Sequence, residues 1–123
     1  MSLIPNRLSF AEAAGLPVAG LTGLAAYERS GLKRGDAVLV IGASGGCGMF
    51  GVSIATHAIG ANVTGLCSTK NVDFVSKMGA HQVVDYKQPS EMGDLISGGA
   101  QFDIIYDTVT SFAPEDPNYE PAY

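Results

Sequence analysis

Residues 42–48 read Gly-Ala-Ser-Gly-Gly-Cys-Gly, and a backbone this free of side chains is what is needed to wrap a phosphate group. Within it, Ala43-x-Gly45-x-x-Gly48 is the G-x-G-x-x-G dinucleotide fingerprint with alanine in the first place. Each position has a physical task. The first makes the tight turn out of a strand. Gly45 lets the main chain approach a pyrophosphate, and Gly48 lets the following helix pack close to the strand. A pyrophosphate would then rest on the free N–H groups and the positive dipole end of that helix. The competing reading is a turn made glycine-rich for packing alone. The fingerprint is weak by itself and gains force only between a buried strand and a helix.

The second informative place lies about 20 residues further on, where an acid holds the ribose 2′-OH of NAD. Here the chain reads Cys67-Ser68-Thr69-Lys70-Asn71, with no acid. The Ser68 hydroxyl and the Lys70 ammonium suit a 2′-phosphate, whose charge a carboxylate would repel. The other reading has Ser68 capping the next helix and Lys70 solvated. The window favours NADPH over NADH. His57 and His81 fit neither an H-E-x-x-H pattern nor a Ser/His/Asp order, and His57 reads as a surface or packing residue. Asp103 and Asp107, four apart on one strand, share a face, so a carboxylate pair is conceivable, although a structural or cofactor-side Asp107 is preferred. Asp73, Glu91 and Asp94 read as ordinary helix-surface charges. Cys47 and Cys67 lack metal-ligand spacing and read as free thiols of a reducing compartment. No metal site and no catalytic residue is expected in this chain.

The elements that must hold these residues alternate. Leu3 to Asn6 is an extended lead-in. Ser9-Phe10-Ala11-Glu12 is a capping box opening a short helix that runs to Gly15. Pro17 starts a second helix, carrying Leu21, Leu24, Ala25 and Tyr27 and ending near Gly31. After a polar turn at Lys33–Asp36, Ala37–Ile41 is apolar on both faces, as a central parallel strand requires. A helix is expected over Cys47–Ala58, closed by Gly60. The pattern then repeats: strand Asn62–Cys67, helix Val72–Met78 stopped by Gly79, strand Gln82–Asp85, helix Glu91–Ile96 stopped by Gly98-Gly99, and strand Phe102–Asp107. This succession marks an α/β fold, a Rossmann-type parallel sheet with helices on both faces. Right-handed crossovers give the order 3-2-1-4. A full doubly wound domain has about six strands. The four strands here suggest an incomplete domain with one raw sheet edge. The expected division is linking helices over 1–31, a partial nucleotide-binding domain over 32–111 and an irregular tail over 112–123.

Composition supports a globular chain: 46% of the 123 residues are hydrophobic and 15% charged. A net charge of −5 argues against a nucleic-acid partner and gives no support for membrane-surface binding. No apolar run approaches the roughly 18 residues of a membrane span, and no signal-peptide pattern is visible.

The runs IGASGGCG, GANVTGLCSTKN, KMGAHQVVDYK and FDIIYDTV, in that order and spacing, resemble the medium-chain dehydrogenase/reductases, and more narrowly their zinc-less quinone-reductase branch. LSFAEAAGLPVAGLTGLAAYE resembles the linking helices before that family's nucleotide domain. The resemblance covers about residues 4 to 110. It implies roles at several positions. Thr22 would lie near the nicotinamide end of the cofactor. Ser44, Gly45, Gly46, Cys47 and Gly48 would form the pyrophosphate turn, Cys47 replacing the usual valine. Ser68 and Lys70 would contact the 2′-phosphate, and Tyr86 would lie by the adenosine end. Asp107, Thr108 and Val109 would form the strand end facing the cofactor, Thr108 standing where relatives often carry asparagine. Zinc-dependent members carry a cysteine where this chain has Val18. The resemblance further implies that the substrate domain and the last strands of the cofactor domain are absent from this chain. The expectation is therefore the cofactor-binding part of an NADPH-dependent reductase of quinones or enone-like carbonyl compounds, weakly active or inactive alone. The alternative is a non-catalytic nucleotide-binding regulatory or scaffold domain. A second copy of the chain is an expected partner, through the raw edge or an uncovered apolar face. The compartment is expected to be the cytoplasm, the resemblance also allowing a mitochondrial one.

Overall fold

In the computed structural model, which describes residues 3–109, the valine-rich runs form a four-stranded, all-parallel sheet in the order β3-β2-β1-β4. The strands are β1 (Ala37–Ile41), β2 (Asn62–Cys67), β3 (Gln82–Asp85) and β4 (Ile104–Asp107). The order is the expected 3-2-1-4. β1 is central because Val38, Leu39 and Val40 are apolar and buried on both faces. Its register sets Ile41 beside Leu66 on one side and Asp107 on the other, while Cys67 lies beside Asp85. All four carboxyl ends therefore reach one edge of the sheet.

Helices cover both faces. On one, Val38, Val40 and Val63 pack with Val52 and Ala55 of the helix after β1, with Val75 and with Tyr27. Each such buried side chain contributes about 2 kcal/mol of apolar transfer. On the other, Leu39, Leu66 and Val84 meet Met92, Leu95 and Phe102.

The helices are α1 (Phe10–Ala14), α2 (Pro17–Ser30), α3 (Gly46–Ser53), α4 (Val72–Lys77) and α5 (Pro89–Ser97). The Ser9/Glu12 capping box forms with both of its reciprocal bonds. Pro17 opens α2, and Gly31, at φ 71°, closes it in the left-handed region. α2 lies against α3: Gly23 faces Gly51, and the Tyr27 hydroxyl donates to the Gly51 carbonyl at 3.1 Å.

Some boundaries differ from the sequence reading. The helix expected over Cys47–Ala58 starts at Gly46 and is α-helical only to Ser53; Ile54–Ile59 continue it as a π-helical segment. There the Ala55 carbonyl accepts from both Gly60 and Ala61, while Thr56 and His57 reach the carbonyls of Gly79 and Met78. α5 begins at Pro89, two residues before the expected Glu91, since proline suits a first helical turn. β4 begins at Ile104; Asp103 instead accepts from the Ala37 N–H through its carboxylate. The expected tail over 112–123 lies outside the described residues. No helix among the described residues is long and apolar enough to cross a membrane.

Candidate functional site

The turn after β1 is built on Gly42 rather than on Ala43. Gly42 has φ 74°, and a Cβ there would run into Val109 Cγ2 and Thr108 Oγ1. Ala43 is fully buried, and its N–H donates to the Leu66 carbonyl at 3.0 Å, tying the turn to β2. The tight-turn role therefore belongs one residue earlier than the fingerprint frame assigned it. Gly45 is the N-cap of α3 and its N–H donates to Gly42 O at 2.9 Å. No side chain caps this helix, and Gly45 and Gly46 are exposed. The first turn of α3 thus presents its N–H groups and its positive dipole end outward. Gly48 is buried below, where a Cβ would strike the Gly42 carbonyl oxygen.

Beside the turn, at the carboxyl edge of the sheet, opens a cleft of about 680 Å³. Of the residues singled out from the sequence, Ser44, Gly45, Ser68, Lys70, Tyr86, Thr108 and Val109 line it. Its floor is apolar: Leu39, Ile41, Leu66, Met92 and Leu95. Gly46, Cys47, Gly48, Asp107 and Thr22 are not part of the lining. Gly48 packs behind the turn, whereas Gly46 stands exposed at the start of α3. Cys47 is half-buried and lies near the phenol of Tyr106. Thr22 stands on α2, its hydroxyl donating to the Val18 carbonyl at 2.6 Å. Asp107 accepts from the Val109 N–H at 2.9 Å and so shapes the chain leaving β4. It does not meet Asp103, which is engaged at the opposite end of that strand. The Thr108 hydroxyl donates to Ile41 O at 2.8 Å, joining the ends of β1 and β4.

Two contributors were not singled out from the sequence. Asn71, in the quoted run CSTKN, lines the cleft and donates through Nδ2 to Ser44 Oγ at 3.0 Å and Ser68 Oγ at 3.3 Å. Ser68 itself makes no side-chain cap to the helical turn Thr69–Asn71, against the capping reading. Lys87 joins Lys70, Ser68, Thr69 and Tyr86 around an adjoining recess of about 360 Å³. Two lysines line this recess although the chain is acidic overall.

Asp85 organises both loops here. Its carboxylate accepts from the Thr69 hydroxyl and N–H and from the Lys87 N–H, the last at 2.9 Å. These bonds hold its carboxyl below the usual carboxylate range, the Thr69 hydroxyl contributing most. Glu91, expected as a surface charge, accepts from the Asp85 N–H at 2.7 Å and closes the join between β3 and α5. Burial, with Asp85 and Glu91 nearby, pushes the Cys67 thiol up. The histidines are structural: His81 Nδ1 accepts from the Val63 N–H, and His57 meets Met78 O. Among the described residues, no three of His, Cys, Asp and Glu come together as a metal-binding group.

Comparison with known proteins returns one family consistently. Residues 46–116 match the family described as zinc-binding dehydrogenase. The chloroplast envelope quinone oxidoreductase homolog of Arabidopsis thaliana is 40% identical over 107 residues, covering 82% of this chain and 32% of its own length. The quinone oxidoreductase of Coxiella burnetii superposes with a TM-score of 0.76 at 32% identity, over 87% of this chain and 32% of that one. The quinone oxidoreductase of Thermus thermophilus, whose structure is also known in complex with NADPH, gives a TM-score of 0.73 at 28% identity, over 83% and 34%. The chain spans about a third of the length of the curated relatives it matches.

Proposed function

The chain belongs to the zinc-binding dehydrogenase family of the medium-chain dehydrogenase/reductases, and from that membership we propose that it binds NADPH in the cleft beside α3 as the cofactor-holding part of an oxidoreductase acting on quinones or enone-like carbonyl compounds. The observation that carries this reading is the convergence of Ser44, Ser68 and Lys70 on one cleft at the uncapped N-terminus of α3. The residues present fit a dinucleotide. Gly45 and Gly46 leave the helix start open, Gly46 with no heavy atom near the place of a Cβ, and Gly48 lets α3 sit against the turn.

Held there, a pyrophosphate would take the α3 N–H groups of the turn formed by Ser44, Gly45, Gly46, Cys47 and Gly48. The 2′-phosphate would take Ser68 and Lys70, with Lys87 adding a second cation. Tyr86 would lie along the adenosine. Asp107, Thr108 and Val109 would bound the cofactor at the end of β4, Thr108 as an acceptor because its hydrogen is engaged by Ile41. Thr22 would serve the nicotinamide end. The cofactor supplies hydride; the protein supplies orientation and a low-water apolar floor. The proposed reading is zinc-independent, supported by Val18, whose alkyl side chain stands where zinc-dependent members carry a cysteine ligand. A second copy is the proposed protein partner, meeting β4, where Ile105 is 60% exposed.

The test is thermal stability during titration with NADPH, NADH and AMP, since a ligand stabilises by RT ln(1 + [L]/Kd). NADPH is expected to stabilise most, and Lys70→Glu to abolish that preference. Equal shifts for NADPH and NADH would overturn the Ser68/Lys70 assignment. No shift at millimolar ligand would favour a scaffold role.

A further inference from the structure

Asn71 occupies the N-cap position of α4 yet makes no side-chain cap to that helix. Its carboxamide instead reaches across to the glycine turn, donating to Ser44 Oγ at 3.0 Å and to Ser68 Oγ at 3.3 Å. The Nδ2 group has two hydrogens, so both are committed. The consequence falls on the serines. A hydroxyl has one hydrogen and two lone pairs. Once its oxygen accepts from Asn71, its own hydrogen turns elsewhere. Ser44 and Ser68 both line the cleft, and Ser68 is only 8% exposed. Their hydrogens are thereby available toward the cleft, where an anionic oxygen is the favoured acceptor.

We propose that Asn71 is the positioning residue that sets dinucleotide specificity: by donating to both serine oxygens it presents the Ser44 and Ser68 hydroxyls to the cleft as phosphate donors, coupling the pyrophosphate end of the site to the 2′-phosphate end. The proposal rests on the NADPH reading above. It differs from Lys70 in kind. Lys70 brings charge that acts at a distance, whereas Asn71 acts through the direction of two O–H bonds. An acceptor-only side chain of the same shape reverses that direction.

The experiment measures Kd for NADPH and NADH by calorimetry in the wild type, Asn71→Ala, Asn71→Asp and Ser68→Ala, with unliganded melting as the folding control. Asn71→Ala is expected to lower the NADPH-over-NADH preference about ten-fold, the scale of one hydrogen bond to a charged group, while melting stays near wild type. Asn71→Asp is expected to reverse the preference, because its carboxylate draws both serine hydrogens toward itself. In the Asn71→Ala background, Ser68→Ala should change the preference little further. A wild-type protein that prefers NADPH together with variants that keep the preference overturns this proposal alone. A full, additive loss from Ser68→Ala in the Asn71→Ala background overturns it as well, and that arm stands even where Asn71→Asp fails to fold. A wild-type protein indifferent between the two cofactors overturns the NADPH reading and this proposal with it.

Discussion

At Gly48 and Gly46 the same residue type serves two different ends. A Cβ at Gly48 meets the Gly42 carbonyl and Ala43 Cα, backbone atoms that cannot step aside. Gly48→Ala is therefore expected to destabilise by about 3 kcal/mol or more in urea unfolding. Gly46 has nothing within reach of a Cβ. Gly46→Ala should leave stability within about 1 kcal/mol of wild type, and any loss of dinucleotide affinity in calorimetry then measures how closely the ligand approaches. Asp85 gives a prediction in pH. Its carboxyl is held below the ordinary value, so its contribution to stability is present in full above about pH 4 and fades as pH falls through the folded value. Asp85→Asn is expected to lower the melting temperature at neutral pH and to flatten its decline in acid, read by calorimetry from about pH 2 to about pH 7. At this scale the sequence was legible in which residues would gather, as at Ser68 and Lys70, which the fold brings to one cleft. It was silent where a role depends on direction. Asn71 could be found only once the turn and the end of β2 stood side by side, and Gly42 only once the backbone showed which residue carried the positive φ.

At the scale of elements the strands were read almost to the residue, because Ala37–Ile41 is apolar on both faces and Asn62–Cys67, buried from Val63 onward, is likewise bounded by turn residues. The helices were read less well. Nothing in IATHAI announces a π-helical segment; it is accompanied by ties from Thr56 and His57 to carbonyls at the end of α4, which local sequence does not display. The packing of α2 on α3 was likewise hidden. It depends on Gly51, where a Cβ would lie 2.6 Å from Tyr106 Cε1 and 3.2 Å from the Tyr27 hydroxyl. Gly51→Ala should cost about 1–3 kcal/mol in chemical unfolding, as overpacking does. Near-wild-type stability in that variant would show that the joint yields.

For the whole molecule, the sheet order followed from strand–helix alternation and crossover handedness, and the chain's share of its relatives' length came only from comparison. β4 pairs with β1 alone among the described residues, and Ile105 stands 60% exposed on its outer reach. Such an edge invites pairing. Sedimentation at increasing concentration is expected to show self-association, weakened by Ile105→Lys; a monomer throughout would refute it. One further consequence lies in the ring pair where α2, α3 and β4 meet. Tyr27 and Tyr106 lie with centroids 5.2 Å apart, tilted by 55°, and the Tyr106 hydroxyl is buried without a hydrogen-bond partner among the described residues. Burial pushes both phenols up, so their ionisation opposes folding only as pH rises beyond about 10, the ordinary tyrosine value. The chain has no tryptophan. Its ultraviolet emission is therefore that of tyrosine, and delayed phenolate absorbance in alkali becomes a built-in optical gauge of when this joint comes apart.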